Sequence, residues 1–156
     1  MAIVIRPYEA SDLDAVIDVF LRAVRELASR DYDAAQIDAW AQVDRDLWAR
    51  RRLDRPTWIA VVDREIAGFS DLERDGHIDM LFVHPRYRRM GVANALLDQV
   101  EHEALVQNLA LIDTDASITA RPFFEACGFE LVRRQTVKVR GAQLVNFKMK
   151  KRLFPV

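Results

Sequence analysis

A strand-like run, Ile78-Asp79-Met80-Leu81-Phe82-Val83, turns at His84-Pro85, passes through Arg88-Arg89-Met90-Gly91-Val92-Ala93 and opens directly into an amphipathic helix. This stretch constrains the chain more than any other, because it demands a strand, a tight turn and a helix in immediate succession. The small residues Gly91 and Ala93 leave the main chain bare where the helix begins. The first turn of a helix has N–H groups without intrahelical partners, and the positive end of the helix dipole lies there. Together these make an anion site suited to phosphate. Arg88 and Arg89 add positive charge at the mouth. Taken singly, Gly91 is a turn glycine, Ala93 is helix packing and the arginines are solvated charge. The flanking strand and helix turn them into one unit, shaped for a ligand that carries a pyrophosphate.

The remaining chain supplies layers around this unit. Ile3-Val4-Ile5-Arg6 reads as a strand stopped by Pro7, with Ser11 or Asp12 to cap the next element. Leu13, Val16, Ile17, Phe20, Val24 and Leu27 recur at helical spacing, and Asp31 to Asp33 breaks the pattern. A second helical pattern carries Ile37, Trp40, Ala41, Leu47 and Trp48 and ends at Arg50-Arg51-Arg52. That short basic run is expected to be a solvated helix end. Thr57 to Val62 and Ile66 to Leu72 read as a hairpin across Asp63-Arg64-Glu65, and Asp75-Gly76 is a second turn before the strand from His77 to Val83. The helix from about Val92 to Val106 is expected to bury Val92, Leu96, Leu97, Val100 and Ala104 and to expose Asp98, Gln99, Glu101 and Glu103. Leu109-Ala110-Leu111-Ile112 reads as a parallel strand covered on both faces. A short helix with Pro122 in its first turn is expected to start near Thr119 and to stop at Gly128. Glu130 to Val139 and Leu144 to Met149 form a last antiparallel hairpin around Gly141. The expectation is one layered domain over residues 1–156, with a mixed sheet and helices on its faces.

Composition narrows the functional classes. With 23 basic and 24 acidic residues the net charge is −1, which argues against a nucleic-acid binder relying on a basic surface. One cysteine, Cys127, allows no intrachain disulfide. The first residues meet charge at Arg6, unlike a signal peptide, and no run of eighteen apolar residues exists, so a cytoplasmic protein that does not span the membrane is expected. His102-Glu103 resembles the start of a zinc-protease helix motif, but its second histidine would fall on Val106, and no other Cys/His cluster occurs. No metal is expected.

Two blocks then resemble a known family. Leu81-Phe82-Val83-His84-Pro85-Arg86-Tyr87-Arg88-Arg89-Met90-Gly91-Val92-Ala93 fits the cofactor motif of the GNAT superfamily of acetyl-CoA-dependent N-acetyltransferases, Arg/Gln-x-x-Gly-x-Gly/Ala. Ala120-Arg121-Pro122-Phe123-Phe124-Glu125-Ala126-Cys127-Gly128-Phe129 fits the second block of the same family, Ala-x-x-Phe-Tyr-x-x-x-Gly-Phe, except at Phe124. The resemblance covers nearly the whole chain. It implies an α/β fold with a mostly antiparallel sheet of six to seven strands, a splayed parallel pair and about four flanking helices. It implies acetyl-CoA as acyl donor, in the gap beside Leu81, Phe82 and Val83, with a backbone N–H there polarising the thioester carbonyl. The N–H groups of Arg89, Gly91, Val92, Ala93 and Asn94 are implied to cradle the pyrophosphate, with Arg88 and Met90 in the same motif. Ser117, where the family commonly has Asn, and Phe124 complete the implied donor contacts.

The implied reaction is direct attack of a primary amine on the thioester, which calls for a base, commonly a carboxylate acting directly or through water. Asp79 is the first candidate, two residues before Leu81. His77 shares its face by strand alternation. Glu73, Asp71 and a carboxylate of the Asp31–Asp33 loop are alternatives. Phe124 replaces a tyrosine thought to protonate the departing thiolate. For a thiol pKa of roughly 8.5, release as thiolate at pH 7 costs about 2 kcal/mol, which water or local dipoles can cover. A non-catalytic acyl-CoA-binding partner protein is the rival that Phe124 keeps alive. Cys127 is expected to be a buried apolar thiol. The acceptor is expected to be a small-molecule or peptide amine, whose identity the sequence does not give. Specificity is implied to come from the early helices and the last hairpin, where Trp40, Trp48 and Tyr32 either face a cationic or aromatic amine or simply pack. Dimers are common in the family, which leaves a homodimer open.

Overall fold

The computed structural model describes residues 2–154. The chain runs β1 (Ile3–Pro7), α1 (Leu13–Glu26), α2 (Ala34–Trp40), α3 (Arg45–Asp54), β2 (Thr57–Val62), β3 (Glu65–Asp71), β4 (His77–Ile78), β5 (Leu81–Val83), α4 (Val92–Val106), β6 (Leu111–Ser117), α5 (Arg121–Ala126), β7 (Glu130–Val139) and β8 (Ala142–Arg152). The strands form two four-stranded sheets, ordered β1-β2-β3-β5 and β4-β6-β8-β7. The single strand expected over His77 to Val83 is two strands, and they belong to different sheets. β5 pairs antiparallel with β3, whereas β4 pairs in parallel with β6 through only His77 with Asp113 and Ile78 with Thr114. Beyond that point β5 and β6 diverge and leave a gap.

Alternation along β2 sorts the core into two layers. Trp58, Ala60 and Val62 face one cluster with Leu96, Val100 and Ile112, while Ile59 faces another with Val16, Phe20, Val24 and Phe69. Helices α4 and α5 therefore cover one face, and α1 to α3 cover the other. In α4 the five expected residues Val92, Leu96, Leu97, Val100 and Ala104 are buried. Complete burial of a Leu or Val side chain is worth roughly 1.5–3 kcal/mol, so this face anchors the helix. Its opposite face is less open than expected: Glu101 is half-buried against Lys151 at 2.9 Å. The close seat of α4 depends on Gly68. A Cβ there would lie 2.8 Å from the Phe82 carbonyl oxygen, 3.1 Å from Val92 and 3.2 Å from Leu96. Glycine inside a strand marks such an approach.

Several expectations are corrected. The second helical pattern is two helices, because Asp44 caps α3 by accepting from Leu47 N–H and interrupts the period after Ala41. The basic run at the end of α3 is not all solvated: Arg50 and Arg51 are exposed, but Arg52 turns inward to Asp71. The strand expected at Leu109 begins at Leu111 and continues to Ser117. It pairs in parallel over two residues only, its main partner β8 is antiparallel, and its burial alternates instead of being complete on both faces. Three consecutive polar residues inside it, Asp113, Thr114 and Asp115, hid its length. Helix α5 starts at Arg121 with Ala120 at its N-cap, two residues after the expected Thr119, and Pro122 sits in its first turn. Cys127 is half-buried, with Sγ 3.5 Å from Asn94 Oδ1. Burial pushes its thiol pKa up, which makes it a poor nucleophile.

Candidate active site

Two adjoining clefts open where β5 leaves β6. The first, about 520 Å³, is lined by Leu81, Phe82 and Val83, by Arg88, Arg89 and Gly91 to Asn94, and by Ser117 on the far wall. The second, about 480 Å³, is lined by β4, the joint at Asp79 and Met80, α2, α3, β6 and the β7–β8 hairpin. Trp40, Leu81, Phe82, Ser117 and Ala120 belong to both, so the two spaces meet at β5 and Ser117.

One end of the first cleft is shaped by the main chain around the start of α4, and side chains of Val24, Leu27, Trp40 and Phe123 line the rest. Arg89 and Gly91 have φ of 59° and 87°, in the left-handed region. Gly91 occupies the N-cap of α4 and supplies no side-chain cap. The N–H groups of Val92, Ala93 and Asn94 in the first turn are therefore left for another partner. Gly91 has space beside it, since an added Cβ would first meet Ile3 Cδ1 at 3.8 Å, so its φ rather than crowding calls for glycine. Ten expected donor residues line this cleft: Leu81, Phe82, Val83, Arg88, Arg89, Gly91, Val92, Ala93, Asn94 and Ser117. Met90 does not line it and is exposed. Phe124 lines the second cleft instead, packed with Phe123 and Phe129 at ring-centroid distances of 5.3 and 5.0 Å.

The antiparallel register separates β5 into committed and open groups. His84 N–H bonds Ala67 O and Asp71 N–H bonds Met80 O, with Phe82 opposite Phe69 between them. Hydrogen-bonded pairs alternate along such a ladder, so the peptide groups of Met80, Phe82 and His84 are directed at β3. Those of Leu81 and Val83 face the gap. Phe82 contributes its ring, which stands edge-on to Phe20 at 5.0 Å.

The second cleft is built from side chains. His77, Asp79 and Asp115 stand on its inner side, Arg51 and Arg140 also line it, and Phe20, Tyr32, Trp40 and Trp48 give it an aromatic wall. Trp48 and Tyr32 are core residues as well, both 7% exposed. Tyr32 is pinned: its hydroxyl donates to Val145 O at 2.6 Å and accepts from Ile118 N–H at 2.9 Å. The other members of that loop are also occupied. Asp31 accepts from Thr119 Oγ1 at 2.7 Å, and Asp33 caps α2 through Gln36 N–H. Neither lines the second cleft.

Among the carboxylates considered as bases, Asp79 alone lines the second cleft; its Oδ2 lies 3.6 Å from Arg55 Nη1. Asp71 is fully buried. Glu73 is paired with Arg55 at 3.5 Å. His77 Nδ1 contacts Asp113 Oδ1. Burial pulls the His77 pKa down, but Asp113, with Asp115 and Glu73 beyond it, outweighs burial and the net shift is upward from 6.5. Ligand atoms of Glu73, His77 and Asp79 come within 4.8 Å of one another, in the manner of a metal cluster. The Arg55 guanidinium sits 3.5 and 3.6 Å from the two carboxylates and already supplies positive charge there. Sequence reasoning did not single out Arg52, Arg55 or Gly68; of these only the strand glycine carried a local signal.

Three comparisons with known proteins agree on family and fold. Residues 28–152 match the acetyltransferase (GNAT) domain. The chain is 42% identical over 147 residues, 94% of its length and 93% of the relative's, to the uncharacterized N-acetyltransferase YafP of Escherichia coli strain K12. It superposes with a TM-score of 0.94 and 32% identity on a GCN5-related N-acetyltransferase structure from Rhodopseudomonas palustris, covering 97% of this chain and 96% of that one. It shares the fold of the PaiA N-acetyltransferase from Thermoplasma acidophilum, solved in complex with coenzyme A, at a TM-score of 0.76 and 19% identity, covering 97% and 99% of the two chains. The chain belongs to the GNAT N-acetyltransferase family and is an acyltransferase. Among the described residues no helix is long and apolar enough to cross a membrane.

Proposed function

We propose that the protein transfers an acetyl group from acetyl-CoA to a primary amine by direct attack, with the donor in the first cleft and the amine in the second. The observation that carries this reading is the junction of the two spaces at β5, where Leu81 and Val83 turn unpaired peptide groups toward the gap. The pyrophosphate of the donor takes the uncapped first turn of α4, with Arg88 and Arg89 beside it. The pantetheine arm runs along β5 as an added strand partner, and a Leu81 or Val83 N–H donates to the thioester oxygen. Charge that develops there is met by a dipole already in position, which is where such groups act most strongly. The coenzyme A complex of a protein with the same fold supports the donor assignment.

Asp79 takes the amine proton, directly or through water. It is the carboxylate of the inner wall nearest in sequence to the thioester strand. The leaving sulfur departs near Ser117, whose Oγ accepts from Ala120 N–H at 3.0 Å and keeps its own proton free to donate. Phe124 supplies no hydroxyl, so this serine and water stand in for the general acid. The acceptor is a small or peptide amine that fits between the aromatic wall and the inner carboxylates.

The test is release of free thiol from acetyl-CoA over a broad panel of amines, with mass spectrometry of the products. N-acetylated product with stoichiometric thiol is expected. Tight coenzyme A binding without thiol release on every amine would favour a non-catalytic acyl-CoA-binding role.

A further inference from the structure

Asp71 closes β3 with its side chain fully buried. Its Oδ1 accepts from the main-chain N–H of Asp79 at 3.0 Å and of Met80 at 2.9 Å. These are the two residues between β4 and β5, so the carboxylate gathers both amides of the joint beside the end of β3. The same joint is held by Ser70, whose Oγ donates to Met80 O at 2.8 Å, and by the Asp71 N–H, which reaches that carbonyl at 3.2 Å. Asp71 Oδ2 lies 3.2 Å from Arg52 Nη2 and 3.6 Å from Arg55 Nη1. Arg52 is as deeply buried as its partner, with its guanidinium carbon 5.6 Å from the Trp48 ring centre and 6.0 Å from that of Phe69.

This pair is not a good stabiliser. Nε and Nη1 of Arg52 and Oδ2 of Asp71 have no hydrogen-bond partner, so the two charges are close without being aligned. Burial is the larger effect on both groups, pushing the Asp71 carboxyl up and the Arg52 guanidinium down, and each partner's charge draws the other part of the way back toward its ionised form. Apolar residues of similar volume commonly serve stability as well or better at such a place. What only a charge supplies is a stronger grip on the two amides, since a hydrogen bond to an ionised acceptor is about twice as strong as a neutral one.

We propose that Arg52 and Asp71 are positioning residues for the transfer: the buried carboxylate, kept charged by the guanidinium, fixes the joint between β4 and β5 and so the angle at which Leu81 and Val83 meet the donor. Neither residue touches a reactant. Arg52 is rooted on α3 beside Trp48 and Arg51, so the contact also ties the wall of the amine cleft to the donor strand. The inference rests on the acyl-transfer reading given above.

The test uses Arg52→Met in the full chain, with kcat and KM for acetyl-CoA measured on the best amine and amide hydrogen exchange followed by NMR. Expected are a kcat at least tenfold lower, a KM for acetyl-CoA within threefold of the original, and faster exchange at Asp79 and Met80 with the first turn of α4 unchanged. Arg52→Lys, which keeps the charge, regains most of kcat. Should Arg52→Met fail to fold, Arg52→Met/Asp71→Asn removes both buried charges, and the same loss of kcat and faster exchange are expected. Unaltered kcat together with unaltered exchange at Asp79 and Met80 in a folded variant overturns the proposal. If the parent protein releases no thiol with any amine, the acyl-transfer reading fails instead, and the exchange measurement still decides whether the pair holds the joint.

Discussion

The two clefts are made of different material. The first cleft, proposed for the donor, offers peptide groups at the open edge of β5 and the uncapped start of α4, beside side chains such as Leu27, Trp40 and Phe123. The amine cleft offers side chains contributed by α1, α2, α3, β4, β6 and the β7–β8 hairpin. A site of peptide groups tolerates many sequences but few shapes. A site of side chains can change its ligand by substitution while the fold stays. On the proposed assignment, the contrast would let one scaffold keep its donor while its acceptor changes.

Gly91→Glu attacks the donor side and carries the largest expected effect. The left-handed φ of 87° disfavours any side chain, and a carboxylate at the helix start repels phosphate. The parent protein should gain about 2.7 kcal/mol of stability at coenzyme A one hundred times its Kd. The variant should show no thermal shift at the same concentration.

Asp79→Asn attacks the amine side alone. Turnover should fall by about 100-fold, the low end for loss of a general base, while coenzyme A affinity by calorimetry is retained. Full activity across pH would clear Asp79 of this role and turn attention to His77.

Gly68→Ala tests how the two sides are held together. The new Cβ would press on the Phe82 carbonyl oxygen at 2.8 Å and on α4 behind it. Overpacking of this kind costs about 1–3 kcal/mol, read by denaturant unfolding. Donor affinity should weaken more than amine affinity, since α4 and β5 both line the donor cleft.

The smallest effect belongs to His77. Its folded pKa lies above 6.5, so the stability it draws from Asp113 is fully present below pH 6.5 and fades as pH rises through the folded value. The Tm difference between the parent and His77→Gln should therefore be greatest in mild acid and shrink toward alkaline pH. A difference that grows with pH would contradict the pairing.

The same contrast decides what could be read from the chain. The turn from β5 into α4 was legible because it leaves local marks: Gly91 and Ala93 two residues apart, a strand before them and an amphipathic helix after. Helix α4 and strands β2 and β7 fell at or within a residue of their expected limits for the same reason, since their patterns are continuous. The break between β4 and β5 was not legible, because Asp71 supplies the partner from a strand eight residues earlier and Arg52 supplies the counter-charge from a helix. Arg52 looked like one of three solvated arginines, and nothing local distinguishes it from Arg50 and Arg51. The amine cleft was legible in part, as helices and a hairpin bearing Trp40, Trp48 and Tyr32. Which residues converge there depended on the splay of β5 from β6.

A crystal structure of the protein with coenzyme A tests the central claim most directly. Diphosphate oxygens should lie about 2.7–3.2 Å from main-chain nitrogens among residues 89 to 94, with the pantetheine paired to Leu81 and Val83. Coenzyme A bound elsewhere, with the start of α4 covered by a side chain or solvent, would contradict it.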